Sequence, residues 1–203
     1  MNIVIIGNGE CALNQKYGNF IDNCDLVIRL GNFVVDGYGE YIGHKTNIYV
    51  SRWYKAKFKD VSIFNDIDQM WIPRTFDTRE QKYDNLISQY DLHNKIKYIP
   101  NEIIFGYKIK FPFNVIKHNT SKSVNQKLQC CLPDSGIIAI DMAKHFYPTS
   151  KIYIIGYDNC KTGYYWLKDH QTDKLSDQML NYQYNYLKNY INDNTIIDLS
   201  NGL

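Results

Sequence analysis

The chain opens on a run of β-branched apolar residues, Ile3-Val4-Ile5-Ile6, closed by Gly7-Asn8-Gly9. A short run that is apolar at every position and bounded by turn residues is the pattern of a parallel strand buried on both faces. DLVIRL (25–30), NIYV (47–50), QMWI (69–72), IKYI (96–99), KIYII (151–155) and TIIDL (195–199), largely apolar, read as further strands. Between these runs the apolar positions change to helical spacing. A short helix is expected through Leu13 and Tyr17, and Tyr83, Leu86, Ile87 and Tyr90 mark another over 79–90. A core helix follows Gly136 (IIAIDMAKHF) and stops before Pro148, and an amphipathic helix rich in Tyr and Leu covers 176–191. The stretch 101–130, with Pro112 and a polar Ser/Thr/Asn/Lys tract, predicts a loop or mobile lid.

Strands alternating with helices of this length predict an α/β fold. The expected architecture is a single-domain α/β/α sandwich over 1–203 with a mostly parallel, Rossmann-like sheet. There is no linker and no internal repeat. Ligands of such sheets sit beyond the carboxyl ends of the strands. Those ends carry Gly7 to Gly9, Arg29 to Asn32, and Gly156 to Asp158.

Composition narrows the function classes. The chain has 203 residues, 44% hydrophobic and 22% charged, as in a soluble globular protein. A net charge of +2 gives no field for nucleic acid. No apolar run approaches the ~20 residues of a membrane span, which leaves peripheral contact as the one membrane interaction open. No signal peptide precedes the first strand, so a cytoplasmic location is expected. The cysteines (Cys11, Cys24, Cys130, Cys131, Cys160) are odd in number and fit no metal spacing, which predicts free thiols. Asp66-Ile67-Asp68 has the form of a metal-binding D-x-D but precedes a strand, so a surface turn is expected and no metal site.

Two small-residue turns, Gly7 to Gly9 and Ser135-Gly136, allow backbone N–H groups to approach a phosphate. Gly7-x-Gly9-x-x-Ala12 fits the loose dinucleotide fingerprint, although Arg29 stands where an acidic ribose ligand is expected. A nicotinamide-dependent oxidoreductase is therefore an alternative. Among the histidines, His170 follows the aromatic loop Gly163-Tyr164-Tyr165-Trp166 and precedes the last helix. It is the candidate general base, with a purely structural role as the alternative.

Residues 4–50 resemble the large sialylmotif of the animal-type sialyltransferases. That motif has a GNS or GNG turn, then G-x-x-I-D-x-x-D-x-V-x-R, then G-x-x-x-x-x-G-x-K-T. The matching residues are Gly7, Asn8, Gly18, Ile21, Asp22, Asp25, Val27, Arg29, Gly37, Gly43, Lys45 and Thr46. Residues 133–156 are similar to the small sialylmotif, and Tyr164-Tyr165 to the aromatic motif that follows it. His170 stands where the family places its catalytic histidine. Gly156-Tyr157-Asp158 is closer to bacterial sialyltransferases.

The resemblance implies a GT-A-like fold. It also implies inverting, metal-independent transfer of sialic acid or a related sugar from a CMP-sugar donor to a glycan or glycolipid hydroxyl, with no other cofactor. By the same resemblance, Asn8 and Ser135-Gly136 contact the CMP phosphate and ribose. Gly7, Gly9, Arg29, Asn32, Ser51, Gly156 and Asp158 complete the donor site. Tyr164 and Tyr165 stabilise the leaving phosphate, and His170 is the base. The chain departs from the family at three places. Gly31 lengthens the usual Arg-x-Asn, Asp134 replaces the Ser of Ser-Thr-Gly, and Lys174 beside Asp173 replaces an acidic residue. The disulfide joining the two motifs in secretory members has no clear counterpart. These departures keep a second reading open, a CMP-sugar-binding protein with impaired catalysis.

Overall fold

Each of the seven apolar runs is a strand of one sheet in the computed structural model, which describes residues 1–51, 63–72, 84–110, 133–159, 161–167 and 177–203. The strands are β1 (Asn2–Ile6), β2 (Leu26–Leu30), β3 (Ile48–Val50), β4 (Gln69–Ile72), β5 (Ile96–Tyr98), β6 (Lys151–Ile155) and β7 (Ile196–Asp198). Their order is β5-β4-β3-β2-β1-β6-β7, and every neighbouring pair is parallel. Inner strand β1 is flanked by β2, with Ile3 opposite Leu26, and by β6, with Ile3 opposite Ile152.

A single 3-10 turn (Glu10–Leu13) follows β1. The helices are α1 (Gly18–Asp22), α2 (Gly39–Ile42), α3 (Ile63–Asp66), α4 (Asp84–Gln89), α5 (Asn101–Lys110), α6 (Ser135–Phe146) and α7 (Asp177–Asn192). The first part of the helix expected over 79–90 lies outside the described residues. So do 111–130 of the expected lid. The ten residues before that stretch correct the expectation, because α5 is a helix and not loop. Pro100 starts it, its carbonyl accepting from Ile103 N–H (3.2 Å) and Ile104 N–H (3.3 Å). Ile104 and Tyr107, one turn apart, are buried in the core.

Alternate β1 residues face opposite layers. Ile3 and Ile5 pack with α6 and with residues of α5 and α7, whereas Val4 and Ile6 pack with α1 and α2. Helix α6 is buried at every position from Gly136 to Ala143. One side meets the sheet, and α5 and α7 cover the rest. Asp141 lies within that run at 9% exposure. Its carboxylate accepts from Tyr107 of α5 (2.6 Å) and from Tyr186 (2.9 Å) and Tyr190 (2.8 Å) of α7. A buried carboxylate needs such partners. Burial, then the Asp141 charge, push all three phenols well above their ordinary value of 10.0.

Candidate active site

The chain runs from β1 towards β2 on one side and places β6 on the other, which makes the carboxyl ends of β1 and β6 the switch point of the sheet. That is where parallel α/β sheets open a crevice. The two turns there are laced together. Gly7 N–H donates to Ile155 O (2.8 Å) and Gly9 N–H to Gly156 O (3.0 Å). A Cβ on Gly7 would lie 2.5 Å from the Gly156 carbonyl oxygen, so only glycine permits the approach of the two backbones. The Asp158 carboxylate itself accepts from Thr162 N–H (3.1 Å) and from the Thr162 hydroxyl, closing the turn after β6.

Asn8 sits at the tip of the first turn, half-buried. Its Nδ2 donates to Leu30 O at 2.8 Å, and its backbone carbonyl accepts from Tyr165 N–H at 2.9 Å. Its Oδ1 has no partner among the described residues and remains free to accept. The extra residue after Arg29 is absorbed by Gly31, which adopts φ +56° and donates its N–H to Val50 O (2.8 Å). Asn32 follows it, half-buried.

The start of α6 forms another wall. Asp134 is the N-cap, its Oδ1 accepting from Ile137 N–H at 3.0 Å. Its carboxylate is thereby engaged within the helix start, which accounts for an acidic residue at this place in the motif. Ser135 and Gly136 N–H groups have no acceptor among the described residues, as expected in a first helical turn. Tyr157, directly after Gly156, donates its hydroxyl to Gly136 O (3.2 Å) and ties the β6 turn to α6.

Three expected site residues are buried, although Tyr165 donates its N–H to Asn8 O and lines the cavity beside Gly9. Arg29 is 1% exposed. Its Nε donates to Lys45 O (3.1 Å) and the Thr46 hydroxyl (2.9 Å), and its Nη2 to Ile42 O (2.8 Å) and Gly43 O (3.0 Å). Those bonds use the guanidinium to hold the connection from α2 to β3. Burial lowers its pKa to about 10, still cationic at neutral pH. Ser51 is 2% exposed, its backbone N–H bonded to Trp71 O (3.1 Å). Tyr165 is buried, and its hydroxyl donates to Val34 O at 2.8 Å. Burial raises that phenol to about 12. Tyr164, by contrast, is half-buried and forms a β-bridge with Gly9. His170 lies outside the described residues.

A cavity of about 630 Å³ opens beside the Gly9–Asp158 contact, lined by Glu10, Cys11, Asn14, Asp158, Lys161 and Thr162 among others. The D-x-D segment is elsewhere, at the amino end of β4, where Asp68 accepts from Asn47 Nδ2 (2.9 Å). Two residues of this region carried no assignment from sequence. Tyr157 had a signal, its place in the turn directly after a strand. Gln183 had a fainter one, a polar residue in the α7 stripe with Leu180, Leu187 and Ile191.

The sequence profile of glycosyltransferase family 29 (sialyltransferase) matches residues 2–189, nearly the whole chain. The chain belongs to this sialyltransferase family. A lactosylceramide α-2,3-sialyltransferase of Mus musculus is 24% identical over 172 residues, covering 76% of this chain and 41% of that protein. The chain thus spans about two fifths of the length of that curated relative. A mammalian sialyltransferase crystal structure superposes with a TM-score of 0.64 at 16% identity, covering 98% of this chain and 68% of that one. The sialyltransferase CST-II, solved with a trisaccharide acceptor and CMP, gives a TM-score of 0.58 at 13% identity, covering 98% of this chain and 81% of that one. The fold is therefore the Rossmann-like, GT-A-like sialyltransferase fold.

Proposed function

We propose that this family member transfers sialic acid or a related sugar from a CMP-sugar donor to a glycan or glycolipid hydroxyl, with inversion and without a metal ion. The observation that carries the reading is the set of unsatisfied groups at one switch point. Asn8 Oδ1 is an open acceptor for a ribose hydroxyl or cytidine amine, and the Ser135 and Gly136 N–H groups are open donors for a phosphate. Both are anchored to the turn after β6.

In the proposed reaction the acceptor oxygen attacks the anomeric carbon and its proton passes to His170. CMP leaves with the bonding electron pair, its phosphate hydrogen-bonded by the Tyr164 hydroxyl. Such a donor acts on charge that develops in the transition state. Tyr165, with its hydroxyl on Val34 O, holds the 164–167 loop against the residues after β2.

Thermal denaturation with added nucleotides tests the reading. CMP should raise Tm more than UMP or AMP, equally with magnesium or with a chelator present. At a hundredfold excess over Kd the stabilisation is about 2.7 kcal/mol. Stabilisation by NADPH alone would replace this reading with the oxidoreductase one. Stabilisation by CMP without transfer to any glycan would identify the catalytically impaired binding protein.

Asn8→Ala should weaken CMP binding about tenfold, the size of a lost ligand hydrogen bond together with its bracing contact. Calorimetry on folded variant checks this. A lower Tm with unchanged CMP affinity would leave Asn8 as a brace for Leu30 only.

A further inference from the structure

We propose that Gln183 of α7 is a direct ligand of the CMP phosphate, through its side-chain Nε2. The inference rests on the reading above, that CMP seats at the start of α6. Gln183 is 1% exposed, and its Oε1 accepts from Asp134 N–H at 2.7 Å. That bond fixes the orientation of the amide, since a backbone N–H must meet the oxygen and not the nitrogen. Nε2 is therefore held near the Asp134 N-cap of α6, shielded from water and without an acceptor among the described residues. Buried donors without an acceptor are rare in folded proteins and each needs a physical reason.

The neighbouring groups supply that reason. Ile137 N–H is already taken by Asp134 Oδ1, and Ile138 N–H bonds Asp134 O at 3.3 Å. Ser135 and Gly136 N–H stay open. They lie at the positive end of a 12-residue helix, whose N-cap Asp134 is held by Gln183 Oε1. An anion with several oxygens can satisfy all of them at once, and a monophosphate has that shape and charge. The sheet-side anchor of the same helix start, Tyr157, already uses its hydroxyl on Gly136 O. Among the described residues Gln183 is thus a side chain at this helix start with donor capacity left over.

Calorimetric titration of CMP and of cytidine into wild-type, Gln183→Glu and Gln183→Met proteins decides the matter. The glutamate variant keeps an oxygen for Asp134 N–H but loses the donor. The methionine variant loses both. CMP affinity should fall about ten- to hundredfold in each, the size of a charge-assisted hydrogen bond, while cytidine affinity changes little. Wild-type CMP affinity in folded Gln183→Glu protein overturns the proposal, because Gln183 then only holds Asp134. Equal losses of CMP and cytidine also overturn it, since the turn itself is then disturbed. Failure of the wild-type protein to bind CMP would instead defeat the underlying reading. A measurement on the unmodified protein does not depend on variant folding. The Gln183 side-chain amide resonances should shift on CMP addition, and resonances unmoved at saturation overturn the assignment.

Discussion

Replacing His170 with Ala is expected to reduce sugar transfer about a hundredfold or more while CMP binding is kept, the usual size of a general-base effect. The argument is chemical order along the chain. His170 follows Tyr164, which the structure brackets with Gly9, and precedes α7, which packs on the helix bearing Ser135. An acceptor hydroxyl is a poor nucleophile until a base takes its proton, and neutral imidazole is suited to do so. Wild-type activity should then decline on the acid side as the imidazole takes up a proton. The assay should follow CMP release with and without a glycan acceptor, which also distinguishes transfer from hydrolysis. Near-wild-type transfer by a folded His170→Asn variant would remove His170 from the proton-transfer step.

The largest effect on stability is expected from Asp141→Leu. The buried Tyr107 hydroxyl of α5 and the half-buried Tyr186 and Tyr190 hydroxyls of α7 end on this one carboxylate. Removing it takes that acceptor from buried Tyr107, while Tyr186 and Tyr190 keep their bond to each other (2.8 Å), at a cost of about 2–4 kcal/mol. Urea unfolding should show the lost stability as a lower midpoint, and a midpoint equal to wild type would dismiss the cluster as a clamp. The cluster also carries a pH dependence. Tyr107, Tyr186 and Tyr190 hold their protons more tightly when folded than at their ordinary value of 10.0. Their contribution is therefore complete below about pH 10 and is lost as pH rises above it, because only the unfolded chain then releases the protons readily. Alkaline unfolding accompanied by phenolate absorbance is the expected signature. It should be weaker in Asp141→Leu, where the carboxylate charge no longer raises the phenols.

The same cluster separates what was legible in the sequence from what was not. The strands were legible from short, largely apolar runs, clearest in β1, where Ile3 to Ile6 are all buried, and weakest in β5, half-buried with Lys97 at its middle. Helices α6 and α7 were legible from helical spacing over more than ten residues. The family was legible from the spacing of Gly7, Asp22, Arg29, Lys45 and Thr46, residues whose order is local to one stretch of chain. Helix α5 was not, because Gly106 and the polar run beyond it masked two apolar anchors that matter only against α6. The assignment of individual side chains was not legible either. Arg29 and Asn32 stand three apart, yet Arg29 is locked under the α2–β3 connection and Asn32 follows the Gly31 turn. Tyr164 and Tyr165 are adjacent, yet opposite sides of a chain turn leave one beside Gly9 and give the other to Val34, 131 residues away. Asp134 meets Gln183 across 49 residues. Local pattern determines which segments are strands and helices, since burial and backbone geometry repeat along the chain. Hydrogen-bond partners are chosen between segments distant in sequence, so only the folded sheet decided which polar groups are consumed by the structure and which are left for a ligand.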